Sequence, residues 1–433
     1  MREKVLANLK ITALNEMQKA AISVDGQKDV VLLSPTGSGK TLAFILPIIS
    51  SLNIQKKAIQ ALVLVPSREL ALQIEQVFKQ MKTGFKVNCC YGGHSTKIEK
   101  NNLLQAPAVL IGTPGRIAYY IRNESFATEN IQVLVLDEFD KALEFGFQDD
   151  MAFIISQLKG LKKRILTSAT KMTEIPDFTG LVKPVEIDFL KDHVISPDLK
   201  LKAVISAAED KLETLFALIC KIGSKATLVF CNHRDAVERI SDLLWDKELP
   251  HDVFHGGMEQ EDRERALLKF RNGSHTLLIT TDLASRGLDI PEIEYIIHYQ
   301  LPHNEEAFLH RNGRTARMNA KGTSYVILTE DEKPSFINSK TEVEELPERN
   351  ILPKPTAWAT LYLAAGKKDK INKVDIVGLL LKKGELEKDE LGLIEVLDHS
   401  SYAAVKRTKI DRVVQLIKNE KIKTKKIKIE VSR

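Results

Sequence analysis

The chain has 433 residues, room for about three domains, and its 43% hydrophobic and 28% charged residues are typical of globular proteins. This composition excludes a disordered chain, and 22 glycines with 15 prolines exclude a fibrous one. No apolar run approaches the roughly 18 residues of a membrane span, and the charged start MREKVLANLK lacks the apolar core of a secretory signal. The four cysteines form no C-x-x-C pair, which favours reduced thiols in a cytoplasmic protein over a zinc site.

The net charge of +5 is unevenly distributed along the chain. Residues 367–433 hold 18 Lys and Arg against 11 Asp and Glu, whereas the first 366 residues hold 45 against 47. A basic terminal segment on a nearly neutral body indicates a polyanion partner, most commonly a nucleic acid. On charge alone, a lysine-rich surface that is merely solvated stays open as the alternative.

Between residues 29 and about 190, short β-branched runs alternate with helical patterns. The runs are apolar throughout, which is typical of strands buried on both faces of a parallel sheet. They lie at 29–34, 58–65, 86–91, 108–113, 133–138 and 164–169. The alternation predicts a doubly wound α/β domain over residues 1–190.

The same alternation restarts and predicts a second α/β domain over residues 200–335. A polar stretch with three prolines follows, and we interpret residues 336–369 as a linker. Residues 370–433 then read strand–helix–strand–strand–helix–strand, with INKVD (371–375) as the first strand. This order is that of a small αβ domain of the RNA-recognition type.

A glycine-rich loop, SPTGSGKT, follows the first predicted strand and opens a helix. Such a loop lets backbone N–H groups approach phosphates at the positive end of the helix dipole. Within it, Lys40 can reach the β- and γ-phosphates and Thr41 can ligate Mg²⁺. Ser34 replaces the first glycine of the usual pattern, so an ordinary turn is the competing interpretation. The phosphate-binding candidates are Pro35, Thr36, Gly37, Ser38, Gly39, Lys40 and Thr41.

Two acidic residues, Asp137 and Glu138, end the buried run at 133–138. Ligands bind at this end of parallel strands, where Asp137 suits the Mg²⁺ shell and Glu138 suits the attacking water. Alone, such a pair can simply cap the next helix.

An arginine-rich segment, HRNGRTAR (310–317), lies in the second domain. Three arginines in seven residues are typical of a phosphate-reading cluster, although a surface charge run is the alternative. An ATPase whose phosphate loop lies in the first domain needs cations from the second. Arg314 and Arg317 would supply them as arginine fingers.

These motifs occur in the order found in DEAD-box RNA helicases, and the sequence resembles that family over nearly its whole length. Further segments carry the resemblance, among them PSRELA (66–71), TPGR (113–116), SAT (168–170) and TTDLASRGLD (280–289). The resemblance implies two tandem RecA-like domains, ATP and Mg²⁺ as cofactors, and RNA as partner. By the same resemblance, Gln18 reads adenine, Asp289 faces the ribose, and Ser168 and Thr170 couple the ATP state to strand separation. The implied RNA contacts are Pro66, Arg68, Gly92, Gly93, Thr113, Arg116, Gln260, Arg263 and Thr281.

Four positions depart from the pattern of that family, and of these Ser34 and Ser67 replace other small residues and should be tolerated. Phe139 stands in place of an alanine in the DEFD segment, but Asp137, Glu138 and Asp140 are present, so hydrolysis should survive. Ile11 replaces an aromatic residue that stacks on adenine. We therefore expect a looser preference for ATP over GTP than an aromatic residue would give.

The last 67 residues resemble the RNA-binding domain of DbpA-type bacterial helicases, through KVDIVGLL, ELGLIEVLDHSSYAAV and KTKKIKIEV. Tyr402 is the only aromatic residue after position 366, so we expect a basic surface for structured RNA rather than base stacking. The candidates are Lys373, Lys406, Arg407, Lys409, Lys425, Lys426 and Lys428, several of which could be ordinary solvent-exposed residues. The resemblance implies a monomer that acts on ribosomal RNA in large-subunit assembly.

Three alternatives remain open from the sequence. A DNA helicase or translocase would use the same domain pair, because phosphate contacts do not distinguish the sugars. A non-catalytic RNA clamp is the second, although Lys40, Glu138 and Arg314 argue against it. A general RNA chaperone or an RNA-decay helicase with another target is the third.

Overall fold

The computed structural model describes residues 2–24, 26–35, 37–92, 96–172, 174–190, 199–282, 293–315, 322–337, 341–423 and 425–432. These residues fall into two compact units, one up to residue 190 and one from residue 199 onward. Within the described ranges, no helix is long and apolar enough to cross a membrane. All four cysteines are unpaired thiols, as the sequence predicts, and burial raises the pKa of Cys90 and Cys231 to about 12.

The first unit is a seven-stranded parallel sheet with helices on both faces. Its strands are β1 (Val30–Leu33), β2 (Ala61–Leu64), β3 (Val87–Cys90), β4 (Val109–Gly112), β5 (Val133–Leu136), β6 (Lys163–Ser168) and β7 (Val185–Asp188), in the order β3-β4-β2-β5-β6-β1-β7. Its helices are α1 (Arg2–Asn8), α2 (Glu16–Ser23), α3 (Lys40–Ser51), α4 (Arg68–Gln80), α5 (Thr96–Leu103), α6 (Pro114–Arg122), α7 (Phe139–Glu144) and α8 (Gln148–Gln157).

The strands of this sheet are apolar throughout because each supplies two cores. In β1, Val30 and Leu32 pack into one core, whereas Val31 and Leu33 pack into the core on the opposite face. Successive side chains of a strand point to opposite faces, so a sheet covered by helices on both sides needs apolar residues at every position. The predicted doubly wound domain is confirmed.

The second unit begins with another seven-stranded parallel sheet. Its strands are β8 (Leu199–Ile205), β9 (Thr227–Cys231), β10 (Asp252–Phe254), β11 (Leu277–Thr281), β12 (Tyr295–His298), β13 (Gly322–Leu328) and β14 (Glu342–Val343), in the order β10-β11-β9-β12-β13-β8-β14. The described helices around it are α9 (Leu212–Ile222), α10 (Arg234–Asp246), α11 (Gln260–Arg271) and α12 (Glu305–Asn312). The second predicted α/β domain is thus also confirmed.

The same unit ends in a small domain with an antiparallel sheet. Its sheet strands are β15 (Trp358–Leu363), β16 (Leu391–Val396), β17 (Ser401–Lys406) and β20 (Ile429–Val431), in the order β16-β17-β15-β20. Helices α13 (Lys373–Lys382) and α14 (Ile410–Ile417) share one apolar core with this sheet, and β18 (Lys421–Ile422) pairs with β19 (Lys425–Lys426) in a hairpin.

The start of this small domain differs from the sequence prediction. Residues 371–375 are not a strand, because Asn372 caps α13 through reciprocal hydrogen bonds with Asp375 (3.0 and 2.9 Å). The first strand is instead β15, which lies inside the predicted linker 336–369 and places Ala359, Leu361 and Leu363 in the core. The strand–helix–strand–strand–helix–strand order holds, but it begins earlier than residue 370.

Candidate functional site

The glycine loop after β1 folds around Lys40, the first residue of α3. The Lys40 side chain is only 7% exposed, and its ammonium donates to the carbonyl oxygen of Ser34 at 2.7 Å. Gly39 precedes it with a φ of 89°, where a Cβ would lie 2.6 Å from the amide nitrogen of Gln18. A glycine is therefore required there by conformation and by space.

Gln18 lies against this loop, 22 positions upstream of Lys40 in sequence. Its side-chain amide donates to the carbonyl oxygen of Gly39 at 3.2 Å, while its oxygen accepts from the backbone N–H of Asn15 at 3.0 Å. The Asn15 amide in turn donates to the Ser38 carbonyl at 2.9 Å. The capping box of α2 thus fixes Gln18 beside the phosphate loop. Ile11 is half-buried and packs against the core of the unit.

Asp137 follows β5 and is 3% exposed. Burial and the neighbouring Glu138 raise its pKa to about 6, while the Thr167 hydroxyl and Lys40 act in the opposite direction. Thr167 donates to the Asp137 carboxylate at 2.5 Å. The phosphate loop follows β1 and Asp137 follows β5, the two strands that flank β6 in the sheet, so the loop and this carboxylate lie at one site.

Glu138 adopts a left-handed conformation, with φ 49° and ψ 50°, and immediately precedes α7. Its backbone N–H donates to the Thr167 hydroxyl at 3.1 Å. Non-glycine residues in this region carry strain of about 1–3 kcal/mol and concentrate at functional sites. Phe139 is fully buried beside Phe178, with ring centroids 6.1 Å apart, so the aromatic side chain fills the core and leaves both carboxylates in place.

The SAT segment after β6 is bonded to the acidic segment after β5. The Thr170 hydroxyl donates to the Asp140 carboxylate at 3.2 Å. Ser168 donates its hydroxyl to the Thr170 carbonyl at 2.6 Å and accepts from the Thr170 N–H at 3.1 Å. Because Thr167, the residue before SAT, also bonds Asp137, hydrogen bonds join the end of β6 and the acidic segment at two points.

The donors present suit Mg²⁺ bound together with a nucleotide. Among the described residues, no group of three or more His, Cys, Asp or Glu side chains could hold a metal alone. Mg²⁺ is usually held by one or two carboxylates, waters and substrate phosphates rather than by a protein cage. The buried Asp137, whose pKa is raised to about 6, would gain from a cation, and Thr41 is the second residue of α3.

The predicted contacts of the first unit divide into two groups along one edge of the sheet. Carboxyl ends of parallel strands meet at the same edge, so residues that follow neighbouring strands lie near each other. The nucleotide candidates follow β1, β5 and β6, which are adjacent in the sheet. The RNA candidates follow β2, β4 and β3, which form the other half. These are Pro66, Arg68, Gly92, Thr113 and Arg116.

Gln260, Arg263 and Thr281 lie in the second unit around β10 and β11. Gln260 opens α11 and donates to the Glu264 carboxylate at 3.1 Å. The Arg263 guanidinium lies 4.9 Å from the ring centroid of Phe254, and Thr281 ends β11. Since Gln260 and Arg263 are both largely buried, only small parts of these side chains are exposed for RNA.

Arg311 has a structural role that the sequence analysis missed. It is 1% exposed and donates to both carboxylate oxygens of Asp282, at 2.6 and 2.7 Å. It also donates to Asn232 Oδ1 and to the Gln300 carbonyl, both at 2.7 Å. The HRNGRTAR segment is therefore not a uniform phosphate-reading cluster, and Arg314, just beyond α12, is its described candidate for that role.

The predicted basic contacts of the C-terminal domain fall on two surfaces. Arg407 follows β17 and donates to the carbonyl oxygens of Thr356, Trp358 and Ser274, at 2.7, 2.6 and 3.2 Å. Lys406 lies 4.6 Å from the ring centroid of Trp358. This surface faces the preceding helicase domain, because Ser274 belongs to the loop between α11 and β11.

Of the other lysines, Lys373 begins α13 and Lys409 precedes α14, whereas Lys425, Lys426 and Lys428 lie in or just after the β18–β19 hairpin. Lys425 pairs with Asp369 at 2.5 Å, and Lys426 stands directly opposite Lys421 in the hairpin. Such a like-charge pair is unfavourable until an anion approaches. The remaining candidates pair with single carboxylates. These pairs are Lys373–Glu395 (4.0 Å), Lys409–Glu390 (2.7 Å) and Lys428–Glu430 (2.8 Å).

The four remaining site predictions lie outside the described residues. They are Thr36, Gly93, Asp289 and Arg317.

Comparisons with known proteins agree with this arrangement. The family models for the DEAD/DEAH box helicase, the helicase conserved C-terminal domain and the DbpA RNA binding domain match residues 15–178, 210–319 and 360–431. The chain is 29% identical to the ATP-dependent RNA helicase DbpA of Bacillus subtilis, across 98% of this chain and 96% of that protein. It is 33% identical to the ATP-dependent RNA helicase eIF4A of Mycosarcoma maydis, across 76% and 82%.

The fold matches that of Saccharomyces cerevisiae Dbp5 bound to RNA and ADP BeF3, with a TM-score of 0.69 and 24% identity, over 76% of this chain and 87% of that one. Family models match in all three regions, and a relative above 30% identity is covered over most of its length. The chain therefore belongs to the DEAD-box family of ATP-dependent RNA helicases, and it ends in a DbpA-type RNA-binding domain.

Proposed function

We propose that this helicase uses ATP and Mg²⁺ to separate short duplexes in structured ribosomal RNA during large-subunit assembly, acting as a cytoplasmic monomer. The observation that supports the helicase mechanism is that the nucleotide candidates and the RNA candidates occupy separate halves of one edge of the first sheet. Nucleotide candidates follow β1, β5 and β6, and RNA candidates follow the adjacent strands β2, β4 and β3. Because β2 and β5 are neighbours, the two groups share a rigid scaffold through which ATP state can bias RNA binding.

Hydrolysis would depend on Lys40, Asp137 and Glu138. Lys40 would bind the β- and γ-phosphates, and Asp137 with Thr41 would hold Mg²⁺, which when bound neutralises phosphate charge. Glu138 would orient the attacking water and accept its proton. Gln18 would read adenine from its position beside Gly39.

The remaining nucleotide contacts would come from the second helicase domain. Arg314 and Arg317 would supply cations to the γ-phosphate, and Asp289 would face the ribose. Ser168 and Thr170 would transmit the nucleotide state, since Thr170 already bonds Asp140 next to the hydrolytic carboxylates.

Targeting would come from the lysines around α13 and the β18–β19 hairpin. The C-terminal segment carries an excess of seven positive charges, and Lys373, Lys425 and Lys426 lie away from the surface held by Arg407. A ribosomal target is supported by the likeness to DbpA-type domains and by this basic surface, which suits phosphate contacts in folded RNA.

The test is RNA-stimulated ATPase activity of the full-length protein. We compare a large-subunit ribosomal RNA hairpin with an unstructured RNA of equal length and with DNA of the hairpin sequence. The proposal expects strongest stimulation by the hairpin at the lowest concentration. Equal stimulation by both RNAs would support a general RNA chaperone instead, and equal stimulation by DNA would contradict RNA specificity, which depends on the 2′-OH.

A further inference from the structure

A buried carboxylate, Glu99, lies at the half of the sheet edge that carries the RNA candidates. Glu99 belongs to α5, and its side chain is only 6% exposed. One carboxylate oxygen accepts from Arg116 Nε and from the Tyr120 hydroxyl, both at 2.6 Å. The other oxygen accepts from the backbone N–H of Tyr91 at 3.1 Å. A buried carboxylate with three donors is satisfied and immobile.

These three donors come from the two chain segments that precede and follow β4. Tyr91 lies between the end of β3 and Gly92, whereas Arg116 and Tyr120 lie on α6. Both segments contain proposed RNA contacts, and the Glu99 carboxylate bonds to both of them. Helix α5 supplies this carboxylate, yet none of its residues is among the proposed contacts to ATP or RNA.

Glu99 also fixes the orientation of the Arg116 guanidinium. That group lies 5.0 and 5.3 Å from the ring centroids of Tyr120 and Tyr119, which adds cation–π contacts to the ion pair. Burial disfavours charge on Arg116 and is the largest single influence, but the hydrogen bond to Glu99 and the negative charge of Glu99, with smaller contributions from Tyr120 and Cys90, together raise the pKa of Arg116. Its Nη2 nitrogen is buried without a hydrogen-bond partner in the described part of the chain. A phosphate oxygen would satisfy a guanidinium held in this way.

We propose that Glu99 is a positioning residue for RNA binding: it orients Arg116 toward a phosphate and, through Tyr91, holds the Gly92 segment in register with it. This inference rests on the proposed RNA contact of Arg116. It adds a role for α5 as the support that joins two RNA-binding segments. The competing explanation is a network that stabilises the domain without any effect on RNA.

The test is a double-mutant cycle between Glu99→Ala and Arg116→Ala in the full-length protein. RNA-stimulated ATPase gives KM for RNA and kcat separately, and ATP affinity is measured without RNA. We expect Glu99→Ala to raise KM for RNA about tenfold, the equivalent of one charge-assisted hydrogen bond, with kcat at saturating RNA and ATP affinity unchanged. In the Arg116→Ala background, Glu99→Ala should add less than about twofold, because the two residues act as one unit.

Two further variants keep the test decisive. Glu99→Gln can still accept from Arg116 but places an N–H₂ group toward the Tyr91 N–H, so its KM for RNA should fall between those of wild type and Glu99→Ala. Tyr120→Phe removes a different donor from the same carboxylate and should leave KM for RNA within about twofold. If Glu99→Ala does not fold, the Glu99→Gln variant carries the comparison.

The outcomes separate this inference from the proposed function. An unchanged KM in Arg116→Ala would remove Arg116 from the RNA contacts and the role of Glu99 with it. A raised KM in Arg116→Ala, with unchanged KM in Glu99→Gln and Glu99→Ala, would overturn the role of Glu99 alone. Additive effects of the two alanine variants on KM would show that Glu99 acts independently of Arg116, which overturns the proposed positioning role. A lowered melting temperature with KM unchanged would assign Glu99 to stability only.

Discussion

The guanidinium of Arg407 donates a hydrogen bond to the carbonyl oxygen of Ser274 at 3.2 Å, which fastens the C-terminal domain to the second helicase domain. The Thr360 hydroxyl, on β15, also donates to the Ser274 hydroxyl at 2.8 Å, and Asn272 donates to Thr360 at 2.8 Å. Ser274 lies just beyond α11, the helix that carries Gln260 and Arg263. The domain proposed to choose the RNA is thus bonded next to a helix proposed to contact it.

Replacement of Arg407 should release this contact. Arg407→Ala removes one donor from each of three backbone carbonyls, so we expect a loss of about 1–3 kcal/mol in unfolding free energy, measured by urea denaturation. Stimulation by the ribosomal hairpin should weaken, whereas basal ATPase activity should not change. The matched control is Arg412→Ala, because Arg412 is exposed and its ion pair is with the exposed Glu385. Unchanged stability together with weaker RNA binding would show instead that Arg407 contacts RNA directly.

Glu138→Gln should abolish ATP turnover while ATP binding is retained. The amide cannot accept a proton from water, and the decrease in kcat should reach about 100-fold or more. Because ATP stays bound to this variant without being hydrolysed, the variant should hold RNA longer in the presence of ATP than wild type does. Steady-state ATPase and RNA dissociation rates measure both effects, with Glu129→Gln as a control on the exposed surface. Near-normal turnover would contradict the role of Glu138.

The raised pKa of Asp137 should make the folded protein less stable as pH rises. Its pKa rises from 3.8 to about 6 on folding, so the folded state binds the proton more tightly. The stability from this group is present below its unfolded pKa and is lost as pH rises through about 6. Asp137→Asn keeps an acceptor for Thr167 but carries no charge. We therefore expect it to stabilise the nucleotide-free protein by about 1–3 kcal/mol at about pH 7.5 and by much less at about pH 4.

The same substitution should remove ATPase activity, because Mg²⁺ needs the ionised carboxylate. Urea denaturation at the two pH values, with activity assays in parallel, gives both results. Equal effects on stability at the two pH values would contradict the raised pKa.

Nucleotide choice should depend on Gln18 and Ile11. Gln18→Ala removes a side chain fixed beside Gly39, and we expect the ratio of kcat/KM for ATP over GTP to fall about tenfold or more. Ile11→Tyr restores an aromatic ring and should tighten ATP binding. Kinetics with all four nucleotides measure the ratio. Equal rates for all four in wild type would remove Gln18 from the site.

The two parallel-sheet domains could be predicted from the sequence because their strands are buried on both faces. Such strands are recognisable as continuous apolar runs, and the six runs predicted in the first unit correspond to β1–β6. The family resemblance implies that Gln18 reads adenine, whereas the capping box and the hydrogen bond that place it beside Gly39 became evident only in the structure.

Two of the errors arose where a contact joins distant positions. Arg311 stands in the same arginine-rich string as Arg314, and only the bonds to Asp282, 29 positions away, show that it is structural. The strand β15 follows a proline-rich stretch, and its partners in the sheet, β17 and β20, come much later in the chain. The strand predicted at INKVD is wrong for a local reason, because Asn372 and Asp375 form a helix cap.

Lysines on the surface away from Arg407 should carry the binding of structured RNA. Replacing Lys373 and Lys426 by Glu reverses two charges next to α13 and the hairpin. Binding of the ribosomal hairpin should weaken, and the slope of log affinity against log salt should decrease by about 1 for each phosphate that the protein no longer neutralises. Both residues lie outside the ATP site, so ATPase activity without RNA should stay unchanged.

Lys4→Glu and Lys10→Glu together provide the control, because they change the net charge equally on exposed positions near the other end of the chain. Titration of the hairpin at several salt concentrations gives the slopes for wild type and both double variants. If the control lowers the slope as much as the C-terminal pair does, general charge accounts for the binding. If neither changes it, the RNA contacts lie elsewhere in the domain, and the lysines around α13 and the hairpin are ordinary solvated side chains.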